Sequence, residues 1–209
     1  MDLPKDATQE RNLSLHPDAE KLWGRIRNPY CRDCGLHRAP RTVCLVGDGP
    51  VPCKVMLIGE APGEREDEER TPFVGRGGRV LNRALERVDL PRSGIFITNM
   101  AKCRPPNNRT PQKAEIEACR KYLDRELSEG KPQFILLLGA PALGLLNREG
   151  VEKNRGCVFD FNGAKVMVTF HPAARGQRRR SMFQEDIEEF ARLVSGELPP
   201  DPVTGCPTS

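Results

Sequence analysis

Four short apolar segments alternate with amphipathic helical patterns along most of the chain. The segments lie at 54–58, 95–98, 134–138 and 165–170 and are rich in Val, Ile, Leu and Phe. Such segments are typical of strands buried on both faces of a parallel sheet. Helical patterns occupy 77–88, 111–129, 140–147 and 181–195. The alternation predicts βαβ units and a three-layer α/β/α sandwich with a central, mostly parallel four-stranded sheet.

The domain organisation follows from length and composition. A chain of 209 residues is long enough for one compact domain with a sizeable core. We expect a flexible N-terminal arm at 1–17, a single domain at 18–195 that starts with a short helix at 18–27, and a disordered tail at 196–209. No apolar run is long enough for a membrane span, and the N-terminus lacks the apolar core of a signal peptide. These features predict a cytoplasmic protein.

Polar residues stand at the ends of three predicted strands. Glu60 follows the first strand, Asn99 the second and His171 the fourth. Each of them alone would more often be structural, for instance an Asn that satisfies a strand end. In an open parallel sheet, however, ligands bind beyond the carboxyl ends of the strands. The three residues together therefore predict a shared pocket.

An acidic segment, GEAPGEREDEERTPFVGRGG, begins at Gly59, where the first predicted strand ends. Most of its carboxylates are expected in solvent, because charged residues are seldom buried without a partner. Phe73 within it would ordinarily be a core residue. The segment has neither a P-loop nor a Gly-x-Gly-x-x-Gly pattern, which disfavours a nucleotide-binding loop.

The chain has eight cysteines. In an intracellular protein they favour a metal site, a cluster or buried thiols over a disulfide framework. The Cys31-x-x-Cys34 pair is ambiguous by itself, because a zinc site could be completed by His37, Cys44 or Cys53. The net charge of +4 is too small to indicate a polyanionic partner without a local cluster of basic residues.

Several motifs in a fixed order resemble a known family. They are GEAPGEREDEERTPFVGRGGRVL, then NMAKCRPPNNRTPQKAEIEAC, then a strand that ends in His171-Pro172. Together with the cysteines they resemble the iron–sulfur branch, family 4, of the uracil-DNA glycosylase superfamily, over about residues 28 to 194. The resemblance implies an α/β/α sandwich that removes uracil from DNA and leaves an abasic site. It also implies single- or double-stranded uracil-containing DNA as the partner of a monomeric enzyme.

The resemblance also implies roles for the pocket residues. Phe73 would stack on uracil, Asn99 would read its N3–H and O4 edge, and His171 would donate to O2 of the leaving base. The backbone of Glu60, Ala61 and Pro62 would line the pocket. Because Ala61 stands where the better-known branch has an Asp, the catalytic carboxylate near the sugar would be Glu66, with Glu60 as the alternative.

The cysteines and basic residues take on expected roles from the same resemblance. Cys31, Cys34, Cys103 and Cys119 match the four ligands of a structural [4Fe–4S] cluster, which leaves Cys44, Cys53, Cys157 and Cys206 as non-ligands. The DNA contacts would come from Arg175, Arg178, Arg179, Arg180, Lys102, Arg104 and Arg109.

Two positions depart from the family pattern. Ala173 replaces the usual Ser after His171-Pro172, and Arg70 stands near a usual Gly. A catalytically weak DNA- or partner-binding module with the same fold is therefore one alternative function, and a glycosylase for other deaminated bases is another. The segment Pro105–Arg109 contains no His, so the resemblance implies turnover rather than covalent trapping of DNA.

Overall fold

The computed structural model describes residues 31–38, 44–198 and 206, and five strands in these residues form one sheet. The strands are β1 (Val55–Gly59), β2 (Ile95–Asn99), β3 (Phe134–Leu138), β4 (Phe159–Phe161) and β5 (Ala164–Thr169). Their order is β2-β1-β3-β5-β4, and all neighbours are parallel except β4 and β5. The mostly parallel sheet is confirmed, but the predicted number of four strands was one too low.

The additional strand, β4, forms a hairpin with β5. Asn162 and Gly163 make its two-residue turn with φ values of 49° and 83°. Asn-Gly is the residue pair that such a turn favours, because both positions need positive φ. Strand β4 was not predicted, because it has only three residues, all partly or fully exposed, and so presents no apolar run.

Six α-helices surround the sheet within the described residues. They are α1 (Glu64–Glu69), α2 (Arg76–Glu86), α3 (Lys113–Gly130), α4 (Ala140–Leu143), α5 (Val151–Asn154) and α6 (Gln177–Ser195). Four 3-10 helices occupy Gly35–Arg38, Arg92–Gly94, Pro106–Asn108 and Gly144–Leu146. All four predicted helices exist, with shifted ends.

Two of these helices begin at other residues than expected. The long middle helix was expected from residue 111, but α3 begins at Lys113 with Gln112 as its N-cap, and the Glu115 carboxylate accepts the Gln112 backbone N–H at 2.7 Å. The last helix was expected from residue 181 and begins at Gln177. The arginines at 178–180 are therefore helical, which fixes the face on which each side chain lies.

The sheet separates two apolar cores. Met56 and Ile58 of β1 pack in one core, with helices α3 and α4, whereas Val55 and Leu57 pack in the other, with α2 and α6. The same alternation occurs in β3, where successive side chains also divide between the two cores. Because successive side chains of a strand point to opposite faces, the continuous apolar runs supply both cores. This confirms the three-layer α/β/α architecture.

Most of the predicted N-terminal arm, first helix and C-terminal tail lies outside the described residues. The arm at 1–17 and the helix at 18–27 lie outside the described residues, as do 199–205 and 207–209 of the tail. Cys206 is described, and it forms a disulfide with Cys157, so the preference for buried thiols over disulfides does not hold for this pair. No helix in the described part of the chain is long and apolar enough to cross a membrane.

Candidate active site

A cavity of about 330 Å³ lies at the carboxyl ends of β1, β2 and β5. This edge is where ligands bind in open parallel sheets, and β1 lies at the point where the strand order reverses. The structure brings together the three residues that follow the predicted strands. The lining residues include Glu60, Ala61, Pro62, Glu66, Phe73, Asn99, Arg109 and His171.

Phe73 forms one wall of the cavity and has an unusual backbone conformation. Its φ of 56° is in the left-handed region, which is rare for a bulky residue. The guanidinium of Arg92 donates to the carbonyl oxygens of Phe73 and Pro72 and holds this turn in place. A Cβ on Gly78 would lie 1.8 Å from the Phe73 oxygen, so the turn also depends on that glycine. A left-handed Phe held by several contacts is typical of a functional position.

Asn99 ends β2 and lies next to the Phe73 ring. A Cβ on Gly59 would meet both the ring, at 2.4 Å, and Oδ1 of Asn99, at 2.5 Å, so Gly59 leaves the space in which they meet. The Asn99 residue is only 3% exposed, and its Oδ1 has no hydrogen-bond partner among the described residues. A buried acceptor without a partner is costly. The side chain is therefore poised to accept a hydrogen bond from a ligand in the cavity.

His171 follows β5 and is half-buried beside the Phe73 ring, with 5.8 Å between the ring centroids. The Ala173 backbone N–H donates to Nδ1 of His171 at 3.2 Å. A neutral imidazole that accepts at Nδ1 has its proton on Nε2. Burial lowers the pKa of His171, and the nearby Glu66 carboxylate opposes that shift. His171 is therefore a neutral hydrogen-bond donor at pH 7.

Two carboxylates border the cavity. The Oε1 atom of Glu66, in α1, accepts the backbone N–H of Gly75 at 2.8 Å and so fixes the loop that contains Phe73. Burial raises the pKa of Glu60, and a hydrogen bond with the Thr110 side chain opposes this shift. Of the other acids in α1, Asp67 is buried and the rest are partly or fully exposed, as expected for most of the acidic segment.

A buried polar network lies below His171. The Thr169 hydroxyl, at the end of β5, donates to Oδ2 of Asp186 at 2.6 Å, and the Arg155 guanidinium lies 2.7 Å from Oδ1 of the same carboxylate. Burial raises the pKa of Asp186 to about 6 despite these partners. The network ties the strand that precedes His171 to helix α6. No local sequence pattern predicts this network, since Asp186 and Arg155 are separated from Thr169 along the chain.

Lys102 was predicted to contact DNA, and the structure shows that this prediction was wrong. The side chains of Lys102 and Glu126 are both fully buried, and Nζ of Lys102 lies 2.6 Å from Oε2 of Glu126. The same Nζ donates to the Thr98 hydroxyl at 2.8 Å and to the Asn99 carbonyl oxygen at 2.6 Å. Lys102 therefore positions the end of β2, including Asn99, and cannot reach a phosphate.

Two other predicted DNA contacts have acidic partners. Arg104 lies 3.1 Å from Glu64, and Arg109 makes a bidentate pair with Glu115 at 2.7 and 2.8 Å. Each guanidinium is partly exposed, and Arg109 lines the cavity. Their charges are already compensated, so their contribution to phosphate binding is expected to be small.

The four predicted arginines after His171 are all exposed. Arg178 pairs with Glu152 at 2.9 Å, and the Arg179 guanidinium lies over the Phe170 ring at 5.6 Å. Arg175 and Arg180 have no ion-pair partner among the described residues. The predicted basic surface therefore exists beside the cavity, with Arg178 compensated by an acid.

Five of the cysteines lie in one cluster. Cys103 and Cys119 are buried in it, and Cys31 and Cys34 pack against it. Cys44, predicted as a non-ligand, lies in the same cluster and hydrogen-bonds with Cys103. Cys53 belongs to the core on the α3 side of the sheet. The structure thus brings the four predicted ligands together, with a fifth thiol beside them.

The electrostatics of this cluster disfavour bare thiolates. The hydrogen bond with Cys44 and then burial raise the pKa of Cys103, and burial raises the pKa of Cys119 to about 11. The Lys102 backbone N–H donates to Sγ of Cys119 at 3.4 Å. No three His, Cys, Asp or Glu side chains of the described residues have the spacing that binds a single metal ion.

Comparison with known proteins defines the class to which this fold and site belong. Residues 46–194 match the family model of the Uracil DNA glycosylase superfamily. The chain belongs to that superfamily.

Within the superfamily, the chain is similar to proteins named Type-4 uracil-DNA glycosylase. The one from Pyrobaculum aerophilum is 42% identical over 185 residues, covering 83% of this chain and 93% of the relative. The one from Thermotoga maritima is 38% identical, covering 80% and 91%, and the one from Saccharolobus solfataricus is 38% identical, covering 80% and 83%.

Proposed function

We propose that this protein is a monofunctional uracil-DNA glycosylase, which hydrolyses the N-glycosidic bond of uracil in DNA and leaves an abasic site. The observation that supports it most is the buried Oδ1 of Asn99, without a partner among the described residues, beside the Phe73 ring. A base turned out of the helix would stack on that ring. The Asn99 amide would accept from uracil N3–H and donate to O4, an arrangement that cytosine mismatches at both atoms.

The leaving group determines what else the site needs. Cleavage of the glycosidic bond leaves negative charge on uracil, and a donor placed at O2 stabilises that charge as it develops. His171 is a neutral donor with its proton on Nε2, and it lines the same cavity as Asn99. We assign to it the hydrogen bond to O2.

The sugar becomes positively charged in the same step, so an ionised carboxylate near it is favourable. Glu66 lines the cavity and is held by the Gly75 N–H. Burial raises the pKa of Glu60, which makes Glu60 less suited to remain ionised. We therefore assign this role to Glu66. The water molecule that attacks the sugar would lie near the same carboxylate.

The test is an oligonucleotide with one uracil, incubated with the purified protein and then treated with alkali. The wild type is expected to give a strand break only after alkali, because no lysine lines the cavity among the described residues. Asn99→Ala is expected to lose about 2–4 kcal/mol of transition-state stabilisation, comparable with loss of one active-site hydrogen-bonding group.

Matched substrates complete this test. Oligonucleotides with cytosine, hypoxanthine or xanthine at the same position are expected to remain largely intact. Binding of the uracil substrate without any base release, by protein with its full iron content, would instead favour the alternative of a DNA-binding module. Preferential release of hypoxanthine or xanthine would favour the other alternative.

We further propose that Cys31, Cys34, Cys103 and Cys119 hold a [4Fe–4S] cluster. Four thiolates are the usual ligand set of such a cluster, and a cluster of four irons holds its ligands farther apart than a single ion does. The positive charge of the irons would offset the cost of thiolates at buried positions. When bound, the cluster would supply a covalent cross-link between the N-terminal segment and α3. The Lys102 N–H that donates to Sγ of Cys119 is suited to stabilise a ligand thiolate.

Cys44 provides a matched comparison for the ligand set, because it hydrogen-bonds with Cys103 in the same cluster. Cys103→Ser is expected to lose most of the bound iron and of the visible absorbance of the cluster. Cys44→Ser is expected to keep both. The measurements are iron per protein and the absorption spectrum after anaerobic purification. Loss of iron in Cys44→Ser with retention in Cys103→Ser would contradict the assigned ligand set.

A further inference from the structure

A second groove adjoins the cavity, between α2 and the beginning of α6. Arg83 and Arg87 line it from the α2 side, and Arg179 and Arg180 line it from the α6 side. His171 borders both the groove and the cavity. Among the described residues, no Asp or Glu lines the groove. The groove is therefore a basic extension of the site.

Helix α2 and its C-terminal end have a row of four arginines, of which Arg83 and Arg87 line the groove and Arg76 lines the cavity. They lie at positions 76, 79, 83 and 87, three or four residues apart, so their side chains share one face of the helix. All four are exposed, and none forms an ion pair within the described part of the chain. Like charges at this spacing destabilise a helix by a few tenths of a kcal/mol per pair. Helix stability therefore does not explain the row.

The α6 side differs from a typical solvated face as well. Arg179 is held against the Phe170 ring, with its guanidinium 5.6 Å from the ring centroid. Arg180 is exposed and has no ion pair with a described residue. Arg83 and Arg87 on one wall and Arg179 and Arg180 on the other line the same groove, so their positive potentials add between low-dielectric walls. Such a groove favours an extended anion over an isolated one.

We propose that the groove between α2 and α6 binds the sugar–phosphate backbone of the DNA strand on one side of the uracil. This inference rests on the proposed function, because continuity with the base cavity identifies the anion as DNA. The row from Arg76 to Arg87 spans about 16 Å at 1.5 Å per residue. This length matches a short run of phosphates along one strand rather than a single phosphate. The arginines after His171 would then form the opposite wall of a channel that α2 completes.

The test compares two variants that lose the same charge. Arg83→Gln/Arg87→Gln removes two arginines from the groove. Arg125→Gln/Arg192→Gln removes two exposed arginines outside it, on α3 and at the far end of α6. Binding of the cluster-containing proteins to a fluorescent, uracil-free single strand is measured by anisotropy over a series of salt concentrations.

The groove variant is expected to bind on the order of tenfold more weakly at low salt, and its slope of log K against log salt should be shallower by about 1.4. The control variant should match the wild type in both. Because this DNA has no uracil, the result is independent of whether the protein excises uracil. Equal slopes for the groove variant and the control would overturn the inference, even if uracil excision is normal.

A second measurement locates the strand. The flank of a uracil-containing oligonucleotide is shortened on the 5′ side or on the 3′ side, and binding is compared. The wild type is expected to lose affinity for one of the two shortened strands, and the groove variant to lose little or nothing for that same strand. An equal response of both proteins to each shortening would overturn the proposal that the groove holds one flank.

Discussion

Replacing Lys102 with methionine is expected to lower the free energy of unfolding by about 3–5 kcal/mol. The substitution leaves the Glu126 carboxylate fully buried without its cation, while the Gly47 N–H and the Thr98 hydroxyl remain as its neutral donors. Two neutral hydrogen bonds do not replace a buried countercharge. The measurement is urea unfolding of the anaerobically purified protein at neutral pH.

The control for this substitution is on the same helix as Glu126. Lys113 and Glu117 form an exposed pair at 3.9 Å, and Lys113→Met is expected to cost less than about 0.5 kcal/mol. The double variant Lys102→Met/Glu126→Gln removes both buried charges and leaves an oxygen for the Gly47 N–H. It should be more stable than Lys102→Met alone. If Lys102→Met unfolds at the same urea concentration as Lys113→Met, the buried pair does not stabilise this fold.

The buried pair of Lys102 and Glu126 could not be predicted from the sequence. Lys102 lies in a Lys-Cys-Arg segment that suggests a basic surface, and its partner Glu126 is 24 residues away along the chain. No local pattern indicates that a lysine will be fully buried, since charged residues are seldom buried at all. The same distance along the chain hid the Cys157–Cys206 disulfide, whose cysteines are 49 residues apart.

The strand ends, by contrast, were predictable. A parallel sheet places the carboxyl ends of its strands at one edge, so Glu60, Asn99 and His171 had to lie near one another once four apolar runs were identified. What the sequence could not show is how Phe73 reaches them. Its ring stands beside Asn99 because the Phe73 backbone is left-handed and Arg92 holds the turn. Neither feature has a local sequence signal, and only the resemblance indicated that Phe73 lies in the pocket.

His171→Ala is expected to lower the rate of uracil excision by about 10²–10³-fold under single-turnover conditions. The variant loses the neutral donor that we assign to O2 of the leaving base, but the Phe73 ring and the Asn99 amide remain to hold uracil. Substrate affinity should therefore change much less than the rate. His171→Gln, which retains an N–H donor, should fall between the wild type and His171→Ala. A wild-type rate for His171→Ala would exclude His171 as the leaving-group donor.

The pH dependence separates this role from simple packing. Burial lowers the pKa of His171 below its ordinary value of 6.5, so the excision rate of the wild type should not decline as the pH falls to 6.5.

Below the lowered pKa, Nδ1 gains a proton and can no longer accept the Ala173 N–H. The two donors then repel each other, and the imidazole turns away from the position that faces O2. The rate should therefore fall at acidic pH in the wild type, and this decline should be absent in His171→Gln, whose amide does not titrate. If His171→Gln declines in parallel with the wild type, another group controls the acidic limb.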